Sequence, residues 1–122
     1  MNKLQKLAFA TADQSMFVHE DARRIVFDWA RGDFKAAKAL IAKGPCAVGC
    51  HYHRNKDEQF LLIHGFCDLS IVGNERFGQV SAPHLWFVPR GTYHEFHLQS
   101  GAILMGVASE EFDEDDEIRG QP

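Results

Sequence analysis

The stretch Gly49-Cys50-His51-Tyr52-His53-Arg54-Asn55-Lys56-Asp57-Glu58-Gln59-Phe60-Leu61-Leu62-Ile63-His64-Gly65 constrains the 122-residue chain more than any other. In an extended strand successive side chains alternate between faces, so His51 and His53 share one face and Tyr52 takes the other. A short polar connection, Arg54 to Asp57, returns the chain as a second strand in which Glu58, Phe60 and Leu62 share a face. That places a carboxylate beside two imidazoles. Well downstream, Pro89-Arg90-Gly91-Thr92-Tyr93-His94 reads as a tight turn that feeds a third histidine into a following strand.

The rest of the chain reads as short strands at close spacing. Ser15 to Glu20 and Arg24 to Trp29 are strands, with Ile25, Phe27 and Trp29 on one face. Phe34 to Lys43 has the alanines and lysines of a helix, but its position before the histidine stretch demands a strand. Gly44-Pro45 breaks it. Gly65 permits the turn into Phe66 to Val72, where Cys67, Leu69 and Ile71 share a face, and Gly73-Asn74 marks another turn. Phe77 to Val80, His84 to Val88, Tyr93 to Leu98 and Ala102 to Val107 complete a series that argues for an antiparallel barrel or sandwich.

One domain spanning 1–122 is expected, with an N-terminal segment 1–14 and an acidic C-terminal segment 109–122. With 45% hydrophobic residues and ten Phe it can fill a core without disulfide staples. The net charge of −4 is uneven, because seven of the seventeen acids lie between Glu110 and Glu117. Residues 1–109 carry twelve Lys or Arg against ten Asp or Glu, and no basic stripe interleaved with aromatics appears, so nucleic acid is not an expected partner. The acidic run is expected to be a solvated tail. Leu7 to Ala12 is too short for a signal peptide and no stretch approaches membrane-spanning length, so a cytoplasmic protein without a membrane partner is expected. Cys46, Cys50 and Cys67 are odd in number and lack zinc-site spacing; they read as reduced, with Cys50 facing away from His51.

His-x-His, four residues, Glu, six residues, Gly, and then Pro-x-Gly-x-x-His resembles the two paired motifs of the cupin superfamily over most of the chain. The first motif's leading glycine falls at Gly44, one residue too far from His51, and Leu98 stands where an asparagine often follows the last histidine. Neither departure touches a ligand position. The resemblance implies an all-β double-stranded β-helix, the cupin jelly-roll barrel of antiparallel strands. Small cupins often lend an N-terminal strand to a neighbour's sheet, which implies a homodimer.

A narrower resemblance lies at the C-terminus. Val107-Ala108-Ser109, Phe112-Asp113-Glu114, Asp116 and Ile118-Arg119 are similar to the closing segment of cupin ketoisomerases that act on nucleotide-linked 6-deoxy-4-keto sugars, with Phe112 and Glu117 where those enzymes usually carry tyrosines. The first motif is also similar to the zinc-binding cupin domain of capsule-sugar reductases and epimerases. Both relatives handle activated sugars for surface polysaccharides. In the ketoisomerases the position matching Glu58 is commonly glutamine, and two histidines serve as acid and base without a metal. Glu58 restores a full ligand set.

His51, His53, Glu58 and His94 are therefore the candidate ligands of one divalent metal ion. Three nitrogens and one oxygen suit Zn, Mn, Fe, Ni or Co, and four protein ligands in an octahedral site leave two positions open. Moving a carbonyl along a sugar requires a base near neutrality, for which His51, His64 and Tyr93 are candidates. Arg54, Lys56 and Arg90 flank the ligands and are candidate contacts for a pyrophosphate, while Phe60 and Phe96 are candidate walls of a substrate cavity. His19, His84 and His97 read as surface or satisfied core positions. Three function classes follow: an isomerase or epimerase of a nucleotide-activated keto-deoxy sugar, an Fe(II)-dependent dioxygenase, and a small-molecule-binding cupin without turnover.

Overall fold

The computed structural model describes residues 3–8, 15–30 and 32–120, with side chains from His19 onward; of the segment 1–14, only the backbone of Lys3–Ala8 falls within it. Thirteen strands follow in order: β1 Lys3–Ala8, β2 Ser15–Glu20, β3 Ile25–Asp28, β4 Ala36–Ile41, β5 Cys46–His53, β6 Glu58–His64, β7 Phe66–Val72, β8 Glu75–Phe77, β9 Val80–Ser81, β10 His84–Val88, β11 His94–Leu98, β12 Ile103–Ala108 and β13 Glu117–Arg119. Every pairing is antiparallel. One sheet runs β10-β6-β12-β4, a second runs β13-β5-β11-β7-β8 with β9 on β7, and β1-β2-β3 form a third. The fold is the all-β jelly-roll barrel that the motif spacing implies.

The core lies between the two larger sheets. Phe60 and Leu62 of β6, Trp86 and Val88 of β10 and Leu104 of β12 meet Phe96 and Leu98 of β11 and Cys67 and Val72 of β7. The only polar handle inside this cluster is satisfied, because Trp86 Nε1 donates to Ser70 Oγ at 3.1 Å. β6 is apolar on both faces for a separate reason: Leu61 and Leu85 point out of the barrel and are covered by Phe27 and Trp29. The alanines of β4 are in a strand because pairing with β12 overrides their helical propensity.

Two bulges set which side chains face inward. In β7, Cys67, Ser70 and Val72 are buried while Leu69 and Ile71 are only half-buried, so the expected Cys67-Leu69-Ile71 face does not exist. The pairing with β11 skips Asp68, since Leu98 opposes Cys67 and His97 opposes Leu69, and the parity inverts there. In β5, His51 opposes His94 but Gly49 opposes Glu95, and Cys50 is the extra residue at φ 61°. Val48 and His51 thereby both line the barrel interior. Gly49 has φ 83°, and a Cβ there would stand 2.8 Å from the His94 carbonyl oxygen and 2.9 Å from its Cδ2. Only glycine lets the His94 ring lie against this backbone.

Two sequence expectations are corrected. Phe77 to Val80 is not one strand: β8 ends at Phe77 and β9 begins at Val80, with Gly78 between them. The acidic segment is not a solvated tail, because Glu114–Asp116 form a 3-10 turn and β13 pairs with β5, setting Glu117 opposite His53 and Arg119 opposite His51. The three cysteines are free thiols, and burial pushes Cys67 up to about 11. No helix among the described residues is long and apolar enough to cross a membrane.

Candidate active site

Three strand ends converge on one point of the barrel. His51 and His53 come from β5, His94 opens β11 directly opposite His51, and Glu58 opens β6 opposite Val88 and Ala108. The ring of His51 lies 4.6 Å from that of His53 and 4.7 Å from that of His94, centroid to centroid. One ligand nitrogen of each imidazole lies within 4.8 Å of the others. Glu58 Oε1 lies 3.4 Å from His53 Nε2 and 3.8 Å from His94 Nε2, buried to 2% exposure and without a hydrogen-bond partner. Its Oε2 is 3.7 Å from Lys38 Nζ.

A second layer of carboxylates lies behind the histidines. Glu117 Oε1 is 2.8 Å from His51 Nδ1 and is itself paired with Arg119 at 3.2 Å. Asp116 Oδ2 is 3.9 Å from His53 Nδ1, and its Oδ1 accepts the backbone N–H groups of Arg54 and Asn55 at 3.0 and 3.1 Å. The segment thus caps the β5–β6 connection and brings acid groups up to two imidazoles. A cavity of about 50 Å3, lined by His51, His94, Lys38, Phe60 and Phe96 among others, opens beside them; that is room for a few waters. A second cavity of about 170 Å3 adjoins it across Lys38 and Gly106.

The structure brings together His51, His53, Glu58 and His94, with Phe60 and Phe96 as the buried floor under His94 at ring distances of 5.5 and 5.7 Å. Lys56 is buried near the site. The remaining candidates lie elsewhere. His64 is exposed at the far end of β6, about 20 Å of strand from Glu58, so the parity they share does not make it a base here. Tyr93 hydrogen-bonds Glu95 at 2.5 Å, and Glu95 also contacts His97; this cluster lines neither cavity, and the bond to Glu95 pushes the Tyr93 phenol up. Arg54 is exposed, and the Arg90 guanidinium is held by Asp57 at 3.3 Å. Sequence reasoning missed Lys38, Asp116 and Glu117. The ketoisomerase-like spacing of the closing segment was the one signal that could have found the last two.

No protein-family model and no curated protein sequence matches the chain. Solved structures do. A 3,4-ketoisomerase from Helicobacter canadensis superposes with a TM-score of 0.71 at 18% identity, covering 96% of this chain and 90% of that one. A 3'-monoepimerase from Streptomyces bikiniensis in complex with dTDP-quinovose gives 0.73 at 15%, covering 95% and 67%. A double mutant of a 3,4-ketoisomerase from Thermoanaerobacterium thermosaccharolyticum in complex with TDP gives 0.67 at 20%, covering 98% and 86%. This chain has the same fold as these sugar-nucleotide ketoisomerases and epimerases.

Burial dominates the electrostatics of the site. It lowers the His53 imidazole to about 4, helped by Lys56 and His51, and it lowers His51 against the pull of Glu117. It holds His94 well below the usual histidine range, and it raises Glu58 against Lys38 and Lys56. All three imidazoles are therefore neutral near pH 7. A histidine whose folded pKa is depressed contributes stability that is present above its unfolded value and is lost as pH falls towards the folded value. Glu58, raised, has the opposite sign, but it is one group against three. Metal-free protein is expected to lose stability as pH falls from 6.5 towards about 4, by up to about 1.4 kcal/mol per pH unit for each imidazole held neutral. Denaturant midpoints across this window check it; a midpoint that stays level or rises would show that the imidazoles are not held neutral.

Proposed function

We propose that this chain is an isomerase or epimerase that moves a proton next to the carbonyl of a nucleotide-activated keto-deoxy sugar. The observation that carries the reading is the Glu117 carboxylate 2.8 Å from His51 Nδ1, beside a cavity that His51 lines. A carboxylate that close to Nδ1, in contact but without an aligned hydrogen bond here, favours the proton on Nδ1, leaves the Nε2 lone pair free and raises the basicity of a ring that burial has weakened. Nε2 is then suited to take a proton from the carbon beside the C=O, leaving an enediolate, and to return it to the same carbon or to the former carbonyl carbon. The second outcome is ketoisomerisation; the first becomes epimerisation where the enediolate takes its new proton on the opposite face from a donor other than His51, such as solvent. That the fold's solved neighbours are enzymes of these two kinds, some with dTDP-linked ligands bound, supports the substrate class.

The direct test is incubation with a dTDP-linked 4-keto-6-deoxy sugar in deuterated water. Deuterium is expected at a carbon adjacent to the carbonyl, with the rate falling about 10²–10⁴-fold in His51→Asn and by a smaller factor in Glu117→Gln. Absence of exchange, or exchange indifferent to His51→Asn, would sink the reading.

A specific observation favours, as an alternative to the His51 base, a divalent cation at His51, His53, Glu58 and His94, which would occupy the Nε2 lone pair that proton transfer needs. Glu58 Oε1 is buried without a hydrogen bond between His53 and His94, and an uncompensated carboxylate in such a place is costly. The donor set of three neutral imidazoles and one carboxylate fits a first-row divalent ion. Bound there, the ion would supply Lewis-acid stabilisation of the carbonyl oxygen. Elemental analysis is expected to find stoichiometric metal in the parent protein and its loss in Glu58→Gln. A parent that stays metal-free after incubation with Zn, Mn, Fe and Ni would remove the ion. Iron with oxygen uptake and no sugar exchange would instead point to the dioxygenase class, and ligand binding without turnover to the binding class.

The homodimer belongs to the same proposal. Among the described residues β4 has a partner strand on one side only, and Ile41, Ile25 and Val26 are exposed, an arrangement that pairing with a second copy would cover. Light scattering is expected to give the mass of two chains at micromolar concentration; the mass of one chain would count against it.

A further inference from the structure

The cavity of about 170 Å3 on the far side of Lys38 carries an inference of its own. Its walls are Ala36, Ala37, Gly106, Val107 and Ala108, its mouth is the 70%-exposed Phe112, and its charged lining is Lys38, Lys56 and Glu58. Lys56 is only 7% exposed, yet among the described residues no carboxylate forms an ion pair with it, and its nearest recorded partner is the Phe112 ring 6.0 Å from Nζ. A buried ammonium is ordinarily paired. Lys38 is the reverse case, a 60%-exposed side chain that reaches inward to Glu58 at 3.7 Å and over the Phe60 ring at 5.5 Å. Lys38 and Gly106 line both cavities, so the Lys38 side chain is the partition between the histidines and the Lys56 chamber.

We infer that one substrate spans both cavities, with its reacting sugar beside His51 and its diphosphate in the second cavity between the ammonium groups of Lys38 and Lys56. The identity of the substrate rests on the function proposed above; the anion site stands on the geometry alone. Two cations on either side of a chamber with apolar walls suit a dianionic group better than a neutral one. Glu58, the acid in that lining, is turned to Lys38 at 3.7 Å and makes no ion pair with Lys56. Arg54 and Arg90, the other cations near the motif, line neither cavity.

The probe is inorganic pyrophosphate, titrated calorimetrically into the metal-free full chain. Parent protein is expected to bind, and Lys56→Met and Lys38→Met are each expected to weaken binding by about tenfold or more. Arg90→Met, which removes a guanidinium already held by Asp57, should leave it unchanged. Because Lys56 is buried, circular dichroism must show that its variant is folded; if it is not, the exposed Lys38 decides alone. No binding by the parent at millimolar pyrophosphate, equal binding in the lysine variants, or loss in Arg90→Met would each overturn the inference. Pyrophosphate binding that needs both lysines, in a protein that exchanges no sugar protons, keeps the site and removes the sugar chemistry. Sugar turnover with an unchanged KM in both lysine variants does the opposite.

Discussion

The burial of His51, His53, His94 and Glu58 against one another is the constraint on which the rest of the structure depends. Each is a strong hydrogen-bonding group, and burial removes most of the water that would satisfy it. The protein answers by keeping the imidazoles neutral, by laying Phe60 and Phe96 beneath His94, and by bringing Glu117 and Asp116 to the outer nitrogens of His51 and His53. What remains without a hydrogen bond is Glu58 Oε1 together with His51 Nδ1 and Nε2, His53 Nδ1 and His94 Nδ1. A fold selected for stability alone would replace that carboxylate with an amide or an apolar side chain. Its retention ties the centre to chemistry or to a ligand.

The same constraint reaches into the backbone. With strict alternation, Val48 and His51 would face opposite ways, and either the core would lose Val48 or the site would lose its first imidazole. The extra residue at Cys50 places both inside, and Gly49 makes the bulge possible by leaving room for His94. Pairing then locks the geometry, because His94 and Glu58 are the first residues of their strands and His53 is the last of its own. Glu58, His94 and His53 sit at strand ends and His51 lies two residues inside β5, all held by pairing to neighbouring strands, which is why a few residues far apart in sequence converge to within a few ångströms.

Most of this was legible from residues 51–65 and 89–94, since parity placed His51, His53 and Glu58 together and the cupin resemblance added His94, without any knowledge of the core. The strand series was equally readable, down to the bounds of β7 and β10. What escaped notice had physical causes. The bulge at Asp68 moves the inward face of β7 from Leu69 and Ile71 to Ser70 and Val72, and no local pattern announces a skipped residue. His64 has the right parity but six residues of rise carry it to the other end of the barrel. Tyr93 directly precedes His94, yet its hydroxyl is engaged by Glu95 outside both cavities. Lys38, unlike Lys56, is a lysine that no motif flanks, and its place depends on a cavity that forms only when β4, β6 and β12 come together.

The charge distribution of the chain takes on a structural meaning in this light. The seven acids of residues 110–117 lie in a segment that, through Asp116 and Glu117, reaches the histidines from behind. The two lysines that line the second cavity belong to the slightly basic body of the chain. Carboxylates on one side of the imidazoles and ammonium groups on the other make the site electrically polar, with its positive side turned towards the larger cavity. A ligand with an anionic end and a neutral reacting end can enter such a field in one orientation only. In the proposed reaction the anion would be drawn to Lys38 and Lys56, and the reacting carbon would then face the imidazole beside Glu117. Orientation and proton transfer thus come from two halves of one dipole, assembled from segments that lie at opposite ends of the sequence.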